Sequence, residues 1–416
     1  MKVNLLLSAF LVFIISSCAN LEKKNYASLP DDELRKVADS LAQEFIITDG
    51  HVDLPYRLKV KHFRLEREYL GIPLKTDEGD FDFERAKKGG LDAPFMSIYI
   101  PSSYQQKEDR GRALADSLIT MIEGIVTAHP DKFALAKTPA DISNNTKAGK
   151  ISLPFGMENG APIGDDLANV KYFFDRGIRY VTLTHGKNNQ ICDSSYDTTT
   201  MWSGLSPFGE KVVAEMNRIG MMVDISHVSD STFYDVMKIT KAPAIASHSS
   251  CRYFTPGFQR NMSDDMIKAL AKNGGVIQIN FGANFLDSVA RTNDVLRDSL
   301  EKQLEAKNLT SADPEAQPII EQFGKQHKEL FSDVEKVADH IDHVVKIAGI
   351  DHVGIGSDYD GVGDSLPLGL KDVSTYPNLI AVLLKRGYSP EDIEKICYKN
   401  VFRVWNKVIE VAEKGS

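Results

Sequence analysis

Five residues far apart in the chain, His51, Asp53, Glu158, His227 and His248, have the side-chain types of a single metal centre. Each stands at or just past the end of a short apolar run: Phe45-Ile46-Ile47, Ile151-Ser152-Leu153-Pro154-Phe155, Met221-Met222-Val223 and Ala244-Ile245-Ala246. Imidazole nitrogen and carboxylate oxygen are zinc ligands. His51 and Asp53 are two apart, so in extended backbone they face the same way and can hold one ion. Glu158 has two oxygens and can be shared by two ions about 3.5–4 Å apart. Such a pair lowers the pKa of a shared water toward neutrality. The expected cofactor is therefore two Zn2+ per subunit.

Three further groups end other apolar runs. His185 closes Tyr180-Val181-Thr182-Leu183-Thr184-His185 and can donate to a developing oxyanion. Asp358 follows Val353-Gly354-Ile355-Gly356-Ser357 and can carry a proton from a nucleophilic water to a leaving amine. Arg260 can fork onto a substrate carboxylate, its alternative being a surface ion pair. The remaining histidines, His62, His129, His327, His340, His343 and His352, lie in loops, helices or before a strand. His340 and His343, three apart, read as a solvated helix face.

These groups need a scaffold that gathers strand ends. Eight strand-like segments, at about 45–49, 93–100, 151–157, 178–184, 221–225, 243–247, 274–280 and 352–357, alternate with helical ones. The helical segments include Asp109–Ala128, Pro207–Ile219, Ser229–Ile239 and Ser263–Lys272, with glycine after several helix ends (Gly220, Gly274, Gly349). Strands without polar alternation are buried on both faces, and eight strand–helix repeats predict a (β/α)8 barrel. An open doubly wound sheet is the alternative, but no glycine-rich phosphate fingerprint follows a strand. Residues 54–92 and 283–333 exceed the minimal repeat and read as insertions after strands one and seven.

The first residues read as an export signal. Lys2 precedes an apolar stretch from Leu5 to Ile15, too short to span a bilayer, and Cys18 follows Ser16-Ser17. This looks like a lipoprotein signal, with 1–17 removed and Cys18 lipidated; an ordinary signal peptide with a chance cysteine is the alternative. Residues 18–40 then form a tether and a helix start, and 41–416 one metallohydrolase domain. The expected location is a bacterial cell envelope, lipid-anchored. Losing Lys2 takes the formal charge from −9 to −10. An acidic chain argues against nucleic acid and anionic membrane surfaces as partners. Cys192, Cys251 and Cys397 are three, so at least one stays unbridged in a monomer.

Together these residues resemble the membrane dipeptidase (renal dipeptidase) family of zinc metallopeptidases. The resemblance lies in Asp49-Gly50-His51-Val52-Asp53, Gly156-Met157-Glu158, Tyr180 to His185, Gly204-Leu205-Ser206-Pro207-Phe208-Gly209, Val223 to Ser229, Ser247-His248-Ser249-Ser250, Arg260-Asn261 and Gly356 to Val362. It implies a distorted (β/α)8 barrel of the metal-dependent hydrolase type. It implies His51 and Asp53 on one zinc, His227 and His248 on the other, and Glu158 bridging. It further implies a dipeptide substrate cleaved by a metal-bridging hydroxide, with His185 and Arg260 as substrate groups and Asp358 near the attacking water. The chain departs from the animal members in its N-terminal lipidation signal and few cysteines. It also has Gly282 where some relatives place an aromatic residue. Rival readings are an amidohydrolase acting on another small amide or a β-lactam, and a catalytically silent peptide-binding lipoprotein. Stereochemistry of the substrate, and monomer or homodimer, stay open.

Overall fold

The computed structural model describes residues 25–59, 74–76, 79–310, 313–327 and 331–415. Cys18, residues 1–17, His62 and most of the tether lie outside the described residues. The apolar runs form strands buried on both faces; all five residues of Ile178–Thr182 are buried. In chain order the strands are β1 (Ile47–Val52), β2 (Leu91–Tyr99), β3 (Phe133–Leu135), β4 (Ile151–Leu153), β5 (Phe155–Glu158), β6 (Ile178–Thr182), β7 (Met222–Asp224), β8 (Ile245–Ser249), β9 (Val276–Ile279) and β10 (Val353–Ile355). Eight of them form one parallel sheet in the order β1-β2-β5-β6-β7-β8-β9-β10. The sheet comes round on itself just past the last strand. The Asp358 N–H donates to the His51 carbonyl at 3.1 Å, and the Asp53 N–H donates to the Tyr359 carbonyl at 2.9 Å. This is the (β/α)8 architecture expected.

Strand bounds differ from the sequence expectation by a few residues, most of all in the first and third segments. The first strand starts later and runs through Val52, so His51 lies within it. Phe45 instead ends helix Asp31–Glu44, its N–H bonded to the Leu41 carbonyl. The third segment is not one strand over 151–157. Pro154 has no N–H to give a ladder, and the run breaks there. Its carbonyl still accepts from the Met96 N–H at 2.8 Å. Upstream of it β4 pairs with β3 in a separate two-stranded sheet, and downstream β5 enters the barrel between β2 and β6.

Helix starts follow their capping residues. Ser206, Ser229 and Ser263 each accept from the backbone N–H three residues on, opening Pro207–Ile219, Asp230–Ile239 and Asp264–Lys272. The insertion after β9 is helical, with short helices at Ala283–Leu286, Ser288–Thr292, Asp294–Glu305 and Gln317–Gln326. It keeps a small core of its own, including Leu300, Leu304, Ile320 and Phe323. The last helix, Asn400–Gly415, buries Trp405 against strand residues. Phe95 links that indole to Tyr180, with centroids 5.3 and 5.4 Å apart.

His340 and His343 are not a solvated face. His340 is fully buried; its Nδ1 accepts from the Cys251 N–H at 3.0 Å and its Nε2 lies 3.0 Å from the Leu286 carbonyl. Helix Val334–Ala348 is pinned by it to the segments after β8 and β9. His343 pairs with Asp264 at 2.8 Å beneath the Tyr253 ring. Cys192, Cys251 and Cys397 are all free and buried.

Candidate metal centre and active site

The barrel brings together all five residues expected to bind metal. His51 and His248 sit within β1 and β8, Glu158 ends β5, and Asp53 and His227 follow β1 and β7. All five are buried. Glu158 is the hub. Its Oε1 lies 3.1 Å from His227 Nε2 and 3.3 Å from His248 Nε2, and those two nitrogens are 2.9 Å apart. Its Oε2 lies 3.4 Å from His51 Nε2, which in turn is 3.5 Å from Asp53 Oδ2. Atoms about 2.0–2.1 Å from a tetrahedral ion stand about 3.3–3.4 Å from one another. Both sets of separations are close to that edge length, and they share one carboxylate.

The donor set fits cations on its own chemistry. His51 Nε2 and Asp53 Oδ1 are buried without a hydrogen-bond partner, which is costly unless something else satisfies them. Burial works against charge on His51, but Tyr180, Glu158 and Asp53 outweigh it and raise its pKa well above the ordinary value. That corner of the site demands positive charge. At the other corner burial, with Arg260 and a neighbouring imidazole, holds His227 and His248 well below theirs, as neutral nitrogen donors. Burial opposes charge on Glu158, yet His185, His51 and the bonds from His227 and His248 keep its carboxyl well below the usual range.

The family of membrane dipeptidases (peptidase family M19) matches residues 16–416. The mouse protein Dipeptidase 3 is 33% identical over 389 residues, covering 92% of this chain and 69% of that protein. Dipeptidase tcpJ of Claviceps purpurea is 33% identical over 376 residues, covering 88% of this chain and 78% of that one. Among solved structures, the probable dipeptidase PvdM from Pseudomonas aeruginosa is 27% identical with a TM-score of 0.75, covering 92% of this chain and 100% of its own. This chain belongs to the membrane dipeptidase family. It is a peptide hydrolase of that metallopeptidase class.

In this dipeptidase the remaining expected residues ring that cluster of candidate metal ligands. Asp358 is buried, and Asn280 Nδ2 donates to its Oδ2 at 2.8 Å. Burial first, then Asp53 and Glu158, outweigh His51 and Asn280 and push Asp358 up to about 7. His185 is more exposed than Glu158, its Nε2 3.6 Å from Glu158 Oε1 and its ring 4.2 Å from that of His227. Arg260 is no surface ion pair. It is buried, Nη1 donates to Ser249 Oγ at 2.8 Å and Nη2 to the His248 carbonyl at 2.7 Å. Its Nε has no partner, and among the described residues no carboxylate pairs with it.

A layer of supporting residues was given no role from sequence. Tyr180 Oη donates to the Gly50 carbonyl and lies 2.9 Å from His51 Nδ1, so it accepts from that nitrogen and leaves Nε2 as the free donor atom. Ser247 does the same for His248: its hydroxyl donates to Asp224 at 2.6 Å and accepts from Nδ1 at 2.7 Å. Asp224 also accepts from the N–H groups of Ser226 and Ser247, at 3.0 and 2.8 Å. Asp49 accepts from the N–H groups of His51 and Ser357, at 3.0 and 2.9 Å, tying β1 to β10. A sequence signal exists, since each of these two aspartates precedes a histidine of the cluster by two or three residues. His227 and Asp358 hold left-handed backbone, with φ of 67° and 65°. For residues other than glycine this is strained, and it aims both side chains inward.

Proposed function

We propose that this dipeptidase holds two zinc ions, His51 and Asp53 on one, His227 and His248 on the other, with Glu158 shared. The observation that supports this is the meeting of two ligand sets, each near tetrahedral spacing, at the two oxygens of Glu158. Bound there, the pair would supply an activated water and polarise a peptide carbonyl. Asp358 takes the proton of the attacking water and hands it to the departing amine; a carboxyl near 7 can do both at neutral pH. His185 donates to the carbonyl oxygen as it gains charge. Arg260 receives the terminal carboxylate of the dipeptide, which supplies the acid partner it lacks.

Metal removal tests the assignment. Chelated protein should lose at least about 100-fold in hydrolysis of a dipeptide panel and regain it with zinc, and metal analysis should find two ions per chain. Undiminished hydrolysis by metal-free protein would overturn it, and a single ion would remove the sharing by Glu158.

We further propose an envelope protein anchored through lipid on Cys18. This rests on the sequence of the first residues. Among the described residues no helix is long and apolar enough to cross a membrane. Mass spectrometry of the purified protein should find a lipidated N-terminal cysteine; an intact or unmodified N-terminus would reject the anchor.

A further inference from the structure

Two rows of aromatic rings adjoin the metal-ligand cluster. In one, Tyr56 and Tyr99 stand 4.9 Å apart, and Tyr99 meets His185 at 4.8 Å. In the other, Tyr196, Phe258 and Phe285 come from the segments after β6, β8 and β9, with successive centroids 6.1 and 5.9 Å apart. This second row begins 5.7 Å from the His227 ring and ends with Phe285 5.3 Å from the Arg260 guanidinium. It therefore runs from a metal-binding histidine to the buried arginine. Tyr196 is 40% exposed, and Phe258 and Phe285 are half-buried, so the fold leaves ring surface uncovered beside the chemistry. Arg291 lies 4.2 Å over Phe258. Gly282 makes room for the last ring: a Cβ there would stand 2.8 Å from Phe285 Cδ2.

We infer that this row is the side-chain pocket for the C-terminal residue of the dipeptide, and that it selects a large apolar or aromatic residue there. The inference rests on the dipeptidase reading. A carboxylate on Arg260 fixes the α-carbon that bears it close to Phe285, and the side chain on that carbon meets the three rings. The amino-terminal residue lies across the scissile bond, on the side of Tyr56 and Tyr99. Ring surface so placed gains from an aromatic or long aliphatic partner and gains nothing from glycine.

The test compares kcat/KM within two dipeptide series on zinc-loaded protein. With alanine first and the second residue varied, phenylalanine or leucine should exceed glycine by about 10- to 100-fold. In Phe258→Ala that ratio should fall about tenfold, while the ratio of phenylalanine to glycine at the first position moves by less than about twofold. Phe258→Leu should keep an intermediate preference, and it carries the test if the alanine variant does not fold. A flat second-position series in the wild type, or equal shifts in both series, overturns the pocket. Failure of the loaded wild type to cleave any dipeptide overturns the dipeptidase reading instead.

Discussion

His51 is held from behind before it can bind anything in front. The Tyr180 hydroxyl fixes which nitrogen carries the proton, and partners of this kind are commonly worth 10- to 100-fold in metal affinity. Tyr180→Phe should therefore weaken zinc binding by about that factor, with activity recovering at excess zinc; unchanged affinity in a chelator competition would leave the hydroxyl without this role. Asp358 calls for the opposite outcome. Asp358→Asn keeps the hydrogen-bonding shape but cannot take a proton, so zinc content should stay and turnover should fall by about 100-fold or more. Near-normal turnover would take Asp358 out of the proton path. The five residues that the barrel gathers were legible in the sequence because each histidine or acid coincides with the end of an apolar run. Tyr180, Ser247 and Asp224 were not, because each looks like an ordinary strand or turn residue until a neighbouring strand supplies its partner.

Between elements, the parallel strands were legible from unbroken apolar runs and the helices from the glycines that follow their ends. What failed were the joints. Pro154 sits inside a continuous apolar stretch, and only the demand for a ladder N–H splits it into β4 and β5. His340 was misread because its helix carries polar residues around it, while the segments that bury it come from Cys251 and Leu286, far away in sequence. This joint titrates. Burial pushes His340 down to about 4 from an ordinary 6.5. Below pH 6.5 the unfolded chain takes up a proton that the folded chain refuses until about 4, so stability is lost as pH falls across that window. The loss should reach about 2–3 kcal/mol near pH 4.5. In urea unfolding His340→Gln should be less stable than wild type at pH 7.5, and that gap should narrow by about this amount at pH 4.5. A gap independent of pH would assign the acid sensitivity elsewhere.

Across the whole molecule, the barrel meets itself through the backbone of its own site residues. The bonds from Asp358 to His51 and from Asp53 to Tyr359 join β1 to the end of β10. Ions gripped by His51 and Asp53 on this seam and by His227 and His248 opposite it would tie the ring together. Ligand at 1,000 times its Kd stabilises a fold by about 4 kcal/mol. The melting temperature should accordingly drop on chelation and return with zinc, and a transition indifferent to metal would show that the ring holds without it.

The same seam orders events in time. A chain made from its N-terminus carries His51 and Asp53 long before Glu158, His227 and His248 exist, and the strand that closes the ring, β10, comes near the end. An early fragment offers a metal only a pair of ligands on an unsupported strand. Loading is therefore an act of the finished chain, and a product cut short before Val353 would own every ligand and still lack the ring that gathers them.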